Sequence, residues 1–509
     1  MRYDSFAKVL RTVPVVLTLL VIGARLQGEP STGNDRWYVV RLAGQPTGWM
    51  HTVTQHANER IITRSKTKLV IRRGPIQLKI ELESMFVETE DGRAIRGESR
   101  QLFGGKAVTQ EMTFGAEGIE LVSRQGGRET KTTTPLPEAG FLPPAAADRE
   151  MQRRFDDGAK EVTLRTMDPS VGPTVIEVTT TKGKRRNIEV FGKVVPATEM
   201  LTRMSIMPQL VTHEYVDDQG EMVRSTMTML PGMEMEVLEA DEDLAKARID
   251  PPELVAGTLI HPSRPLADAR GLKRAKYRVT IERHDGDRGS ALKLPQAGYQ
   301  RVEVEGDDSV VLTVDTTRAV DATNDPPTDA HRRASIMIDG DDPQVRRLTK
   351  QALSEVHGSG AMDKALGLRD FVRSHIKAKD LSVGFATASE VARTAEGDCT
   401  EHAVLLAAML RAAAIPSRTV SGLVYVPRFV GRRDVFGYHM WAQAWIADSG
   451  DAGGGRWVDV DAAIGDRAFD AAHIALNVAD LADARITNDM VALFPLIGRL
   501  KIEVLETSP

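Results

Sequence analysis

Gly397-Asp398-Cys399-Thr400-Glu401-His402 holds the only cysteine of the 509-residue chain and opens its most helix-prone segment. Ala403 to Arg411 follow, dense in strong helix formers, and Ile415-Pro416 ends the run. Asp398 with Glu401 three residues on predicts a capping box, and Gly397 allows the sharp turn into the helix. Cys399 then falls in the first helical turn, where unpaired N–H groups and the helix dipole favour an anion. A thiol so placed ionises more readily than a free one, whose pKa is about 8.5. A lone cysteine is often no more than a small buried hydrophobe. This position favours a nucleophile.

A thiolate nucleophile needs a base, and the base needs a partner that orients it. Downstream, Gly437-Tyr438-His439-Met440-Trp441-Ala442-Gln443-Ala444-Trp445-Ile446 alternates and is rich in aromatics, as a strand would be. Past Gly453-Gly454-Gly455, the run Arg456-Trp457-Val458-Asp459-Val460-Asp461 predicts a second, short strand. A hairpin of the two, packed on the Cys399 helix, would bring a histidine and an aspartate beside the sulfur.

At this point the sequence resembles the transglutaminase-like superfamily of papain-type Cys-His-Asp enzymes. The matching features are the Gly-x-Cys helix start, Leu-Arg-x-x-x-Ile-Pro-x-Arg from Leu410 to Arg418, and Val-Ser-Gly from Val420 to Gly422. His-x-Trp-x-x-x-Trp from His439 to Trp445 and Trp-Val-x-Val-Asp from Trp457 to Asp461 complete the set. Five such features in the right order make a specific signal where each alone is weak. The resemblance covers residues 340–509. It implies a papain-like α+β domain in which Cys399 is the nucleophile, His439 the general base and then acid, and Asp461 the group that orients His439.

Two rivals stand beside that set. Asp459 and Asp461 share one face of a strand, so periodicity does not separate them. Asp461 is preferred because it ends the Trp-Val-x-Val-Asp pattern. His402 lies three residues from Cys399 on the same helix, near enough to touch, but a helix-mate cannot approach the sulfur from the substrate side. Cys399 with His402 also has the spacing of a metal pair, yet no second cysteine or spaced histidine pair completes a tetrahedral site. No metal and no cofactor is expected.

The length calls for several domains. Hydrophobic content of 41% and charged content of 27% are ordinary for globular protein. A net charge of −5 gives no reason to expect a nucleic-acid partner. The first 28 residues differ: Arg2, Lys8 and Arg11 precede an apolar run from Val13 to Ala24, the layout of a signal peptide. Left uncleaved, the segment would be an anchor tethering the chain to a membrane. One cysteine in an exported protein leaves no disulfide framework, and no Asn-x-Ser/Thr glycosylation acceptor occurs. The expectation is an exported bacterial protein of the periplasm, cell envelope or medium.

Residues 36–244 predict a β-rich domain, with a hairpin at Arg36–Val53 and another whose turn is Lys182-Gly183-Lys184. Phe86-Val87-Glu88 before Asp91-Gly92 is echoed by Tyr215-Val216-Asp217 before Gln219-Gly220, which suggests two related β units. A short helix is expected from Ala145 to Phe155. Residues 253–320 predict a small β-rich domain, followed by a polar linker and then the domain at 340–509, which begins at the helix start Asp342-Pro343. The fold class expected for the whole is α+β: antiparallel β regions, then a transglutaminase-like domain.

Three functions follow from the resemblance. The first is a cysteine hydrolase acting on amide bonds of a protein or peptide, preferred because water is abundant outside the cell. The second is a protein-glutamine transamidase, and the third a non-catalytic envelope module that binds a partner.

Overall fold

The computed structural model describes residues 34–509, apart from 74–75, 104–105, 231–232, 251–257, 284–290, 323, 378–385, 430, 449–453, 466–468, 483–492 and 494–495. The expected signal peptide or anchor at 1–28 lies outside the described residues. No helix among the described residues is long and apolar enough to cross a membrane. The chain is α+β and mainly antiparallel β, with most of its helix in the C-terminal third. Its described residues divide into two units: one within 34–253, and one formed by 254–509 together with 126–128.

In the first unit fourteen strands make a single sheet. Eight form a meander from Asn34–Leu42 to Arg128–Thr134, and six form another from Glu161–Met167 to Met233–Ala240. The meanders join edge to edge where Asn34–Leu42 pairs with Met233–Ala240, Val39 facing Leu238. Alternation decides which face is buried. In the strand Arg60–Arg73, Ile61, Ser65, Thr67, Leu69 and Ile71 turn inward. Helix Pro144–Asp156 starts with a proline in its first turn and buries Ala147, Met151 and Phe155 on one stripe. That stripe packs on Val162, Leu164, Met200 and Val216.

One expected hairpin is absent. Val175–Val190 runs as one 16-residue strand straight through Lys182-Gly183-Lys184. The glycine marks a bulge, seen as a register shift between Lys182 and Arg185. The chain reverses instead at Phe191-Gly192, both at positive φ (49° and 78°), as a two-residue hairpin turn of type I′ requires.

The second unit opens with strands β1 (Arg274–Ile281), β2 (Gln300–Val304) and β3 (Ser309–Asp315). Helices α1 (Pro343–Ser354), α2 (Ala361–His375), α3 (Ala388–Thr394) and α4 (Cys399–Ala412) follow. Strands β4 (Ser417–Phe429), β5 (Arg432–Ala447), β6 (Gly455–Val460) and β7 (His473–Ala479) come next, and β8 (Leu500–Ser508) closes the chain. Two antiparallel sheets result, in the orders β2-β3-β1-β8 and β6-β5-β4-β7. Helix α4 is apolar from Ala403 to Leu410, and Cys399 to Arg411 are all buried. Such a helix needs neighbours on every side. It has them in α1, α2, α3, β4 and β5.

Candidate active site

Helix α4 begins as its sequence requires. The Asp398 carboxylate accepts the Thr400 N–H at 3.0 Å, and Glu401 reaches back to the Asp398 N–H at 3.0 Å. Gly397 sits at φ +150°, and a Cβ there would overlap Glu401. No larger residue could precede the cap. Cys399, the first residue of the helix, is fully buried. Its backbone N–H lies in the first turn of the helix.

His439 lies on β5 opposite Gly422 of β4. A Cβ on Gly422 would overlap the Ile474 carbonyl and come within 2.7 Å of the Trp441 ring, so glycine lets β4, β5 and β7 close up here. The His439 Nε2 is 2.9 Å from Asp461 Oδ2, and both side chains are buried. The Cys399 sulfur acts on the His439 ring as a second negative partner. Burial alone would push the His439 pKa down. The negative charges of Asp461 and Cys399 outweigh it and raise the pKa to about 9.

Asp461 follows the last residue of β6 and is held on every side. Its Oδ1 accepts the Ala463 N–H at 2.7 Å. The buried Arg369 of α2 donates to its main-chain carbonyl at 2.7 Å and to Gly465 O at 2.8 Å. Burial opposes ionisation of Asp461, but the charge and hydrogen bond of His439 hold its carboxyl well below the usual range. The structure thus brings Cys399, His439 and Asp461 together from α4, β5 and the end of β6. Arg418, whose position in the Ile-Pro-x-Arg run marked it, stacks on Trp457 and donates to Gln443 and Asp325, so it braces the sheet behind them.

The two rivals occupy other places. Asp459 accepts the Trp441 indole N–H, the Gln443 amide and the Tyr299 N–H, at 2.7, 2.7 and 2.8 Å. It anchors the strand and a neighbouring loop. The His402 Nδ1 lies 2.6 Å from the Asp398 carbonyl, which ties that ring to the helix start.

Sequence reading missed a second histidine. His473, at the start of β7, points Nε2 at the same Asp461 oxygen, 3.3 Å away. Its Nδ1 is 3.0 Å from Asp470 Oδ1, and Arg270 binds Asp470 at 2.8 Å. Nothing in the local sequence marks His473, because its neighbours are set by the pairing of β7 with β4. His439, Asp461 and His473 could close round a metal ion, as their ligand atoms lie within 4.8 Å of one another. An ion there would need both imidazoles neutral, whereas each sits against carboxylates that favour its cation.

The family model of the transglutaminase-like superfamily matches residues 346–462. No curated protein matches the chain. Among solved structures, a β-barrel-like protein of a domain of unknown function from Brucella abortus aligns with 15% identity and a TM-score of 0.33, over 45% of this chain and 100% of its own. A candidate cysteine protease from Cytophaga hutchinsonii aligns with 15% identity and a TM-score of 0.25, over 46% and 86% of the two chains. For a candidate protease from Parabacteroides distasonis the values are 11%, 0.18, 72% and 69%. These three likenesses are too slight to assign an activity. The family match is of another kind, since it falls on α4, β4, β5 and β6. Residues 346–462, from α1 to the turn that carries Asp461, are a domain of the transglutaminase-like superfamily.

Proposed function

We propose that this chain is a cysteine enzyme that attacks amide bonds of a protein or peptide, with Cys399 as nucleophile, His439 as acid and base, and Asp461 orienting His439. The observation that carries the reading is the buried His439, with Nε2 2.9 Å from Asp461 Oδ2 and the Cys399 sulfur acting on the same ring. That arrangement keeps the proton on the imidazole and the charge on sulfur. The thiolate attacks the carbonyl carbon, and the oxygen takes the negative charge at the Cys399 N–H. His439 then protonates the departing nitrogen, the C–N bond breaks and a thioester remains. Neutral His439 takes a proton from water, the resulting hydroxide displaces the thiolate, and the ion pair returns. No metal enters this scheme, and the substrate is the only partner it needs.

Hydrolysis is the preferred outcome. Complete burial of Cys399 favours a second reading, in which a primary amine replaces water and the enzyme is a transamidase. The apolar segment Val13–Ala24 behind Arg2, Lys8 and Arg11 supports export. The fourteen-stranded unit would then be a binding or positioning module.

The deciding experiment is the pH dependence of Cys399 alkylation by iodoacetamide in wild type and His439→Ala. The shape of the profile reports ionisation, whereas the burial of the thiol scales all rates alike. Expected is a reactive plateau well below pH 8.5 that disappears in the variant. A profile indifferent to His439, or a thiol that reacts only after denaturation, sinks the reading and leaves the binding module. With an acceptor such as a dansylated amine and a glutamine peptide, amine incorporation identifies transfer, and release of acid alone identifies hydrolysis.

A further inference from the structure

Six ionisable groups stand in line through the core of the second unit, and their charged forms would alternate in sign: Cys399, His439, Asp461, His473, Asp470 and Arg270. The first three form the triad proposed above. The last three have no part in it, yet they touch it at one atom. Asp461 Oδ2 lies 2.9 Å from His439 Nε2 and 3.3 Å from His473 Nε2. Asp470 in turn holds His473 at Nδ1, at 3.0 Å, and also accepts the Ala472 N–H at 2.9 Å. Arg270 binds Asp470 at 2.8 Å, with its other arm on the Tyr425 carbonyl at 2.8 Å.

We propose that His473, held as an imidazolium between Asp461 and Asp470, is a positioning residue that aims the Asp461 carboxylate at His439 and offsets part of its charge. The inference rests on the triad reading, which it deepens.

Geometry gives the reason. An imidazole ring with a carboxylate oxygen at each nitrogen donates from both, and only the cation has two N–H groups. A carboxylate can rotate about its last bond. Asp461 cannot, because Oδ1 is fixed by the Ala463 N–H and Oδ2 is shared between two rings. The rings of His439 and His473 lie 5.7 Å apart between centroids, close enough for like charges to repel in a buried site. His473 therefore works against the proton on His439 while Asp461 works for it. The balance keeps His439 able to release its proton to a leaving group.

The surroundings leave little else to set the His473 charge. Asp461 and Asp470 touch it directly, His439 and Trp441 face it from β5, and Phe469 stacks on it at 4.3 Å. Asp459 of β6 also feels its charge. The nearby carboxylates raise the His473 pKa above its ordinary value against the effect of burial. Asp470 is kept ionised by His473 and Arg270.

The test uses the full chain and the iodoacetamide profile of Cys399, with thermal melting in parallel. His473→Gln retains a donor for Asp461 but has no charge. Asp470→Asn leaves the ring in place and removes the carboxylate that holds its second proton. Expected in both is an upward move of the upper inflection of the profile by about one pH unit, because His439 keeps its proton longer once the opposing cation is gone. His473→Ala should add a several-fold drop in plateau rate, as Asp461 is freed to turn. A merely structural role would lower the melting temperature and leave the inflection alone. Inflections unmoved in both charge-removing variants, beside a wild-type inflection that His439→Ala abolishes, overturn this proposal and spare the triad. A wild-type profile that His439→Ala does not change overturns both.

Discussion

Asp459 Oδ1 lies 2.7 Å from the indole nitrogen of Trp441, two residues along the strand from His439. The carboxylate also serves the buried Gln443 amide and the half-buried Tyr299 N–H. Burial pushes the Asp459 pKa up despite those donors. Asp459→Ala would strand two buried donors and one half-buried donor at once, at a cost on the order of 3 kcal/mol in unfolding free energy. Chemical denaturation would read the loss. The alkylation profile of Cys399 should keep its His439-dependent inflection. If Asp459→Ala instead erased that inflection and Asp461→Asn left it intact, the orienting role would belong to Asp459.

In the proposed triad, the charge of Asp461 sets the upper limit of the reactive window. The ordinary histidine pKa is near 6.5, and in the fold that of His439 is raised to about 9. A raised pKa means that the proton's contribution to stability is fully present below 6.5 and is lost as pH climbs through about 9. The thiolate–imidazolium pair should therefore persist across neutral pH, and alkylation should show its second step near 9. Asp461→Asn removes the larger attractive charge, so the step should fall by more than about one pH unit. His473→Gln moves it the other way. A common direction for the two variants would mean that Asp461 does not hold the His439 proton.

What was legible in the sequence follows the range of the interactions. Asp398, Cys399 and Glu401 could be placed because a capping box closes within three residues. His439 and Asp461 were named through the order of short motifs on neighbouring strands, and β5 and β6 form such a hairpin. Lys182-Gly183-Lys184 misled because a glycine between polar residues marks a bulge as well as a turn, and only the partner strand distinguishes them. His473 and Arg270 could not be found at all. Each reaches the site through pairings that no local pattern encodes, β7 with β4 in one case and a turn about two hundred residues upstream in the other. The same holds for β8, which pairs with β1 from the far end of the chain.

Gly422 is where the two histidine strands meet β4. It faces His439 on β5, and a side chain there would strike the Ile474 carbonyl of β7 and the Trp441 ring. Gly422→Ala should force the strands apart and cost about 1–3 kcal/mol, the usual range for overpacking. Because β7 carries His473, the displacement should also lengthen its contact with Asp461. The melting temperature should fall, and the upper inflection should rise as it does in His473→Gln. Loss of stability with an unshifted inflection would show that β7 yields without moving His473.

Glu214 gives the first unit a stability that depends on pH. It is buried, with the Thr202 hydroxyl donating to it at 3.5 Å. Burial pushes its pKa up to about 8, and the charge of Asp148 adds to the shift. The fold therefore holds the protonated acid. Its favourable contribution is complete below the ordinary value of 4.5, declines as pH rises above that, and is gone past 8. At about 1.4 kcal/mol per unit of displacement, holding the carboxyl neutral at pH 7 costs roughly 3 kcal/mol. Glu214→Gln keeps the shape and avoids that cost. Its melting temperature should match wild type near pH 4 and exceed it by a growing margin up to pH 8. A margin that stays constant across this range would mean that Glu214 is ionised in the folded protein.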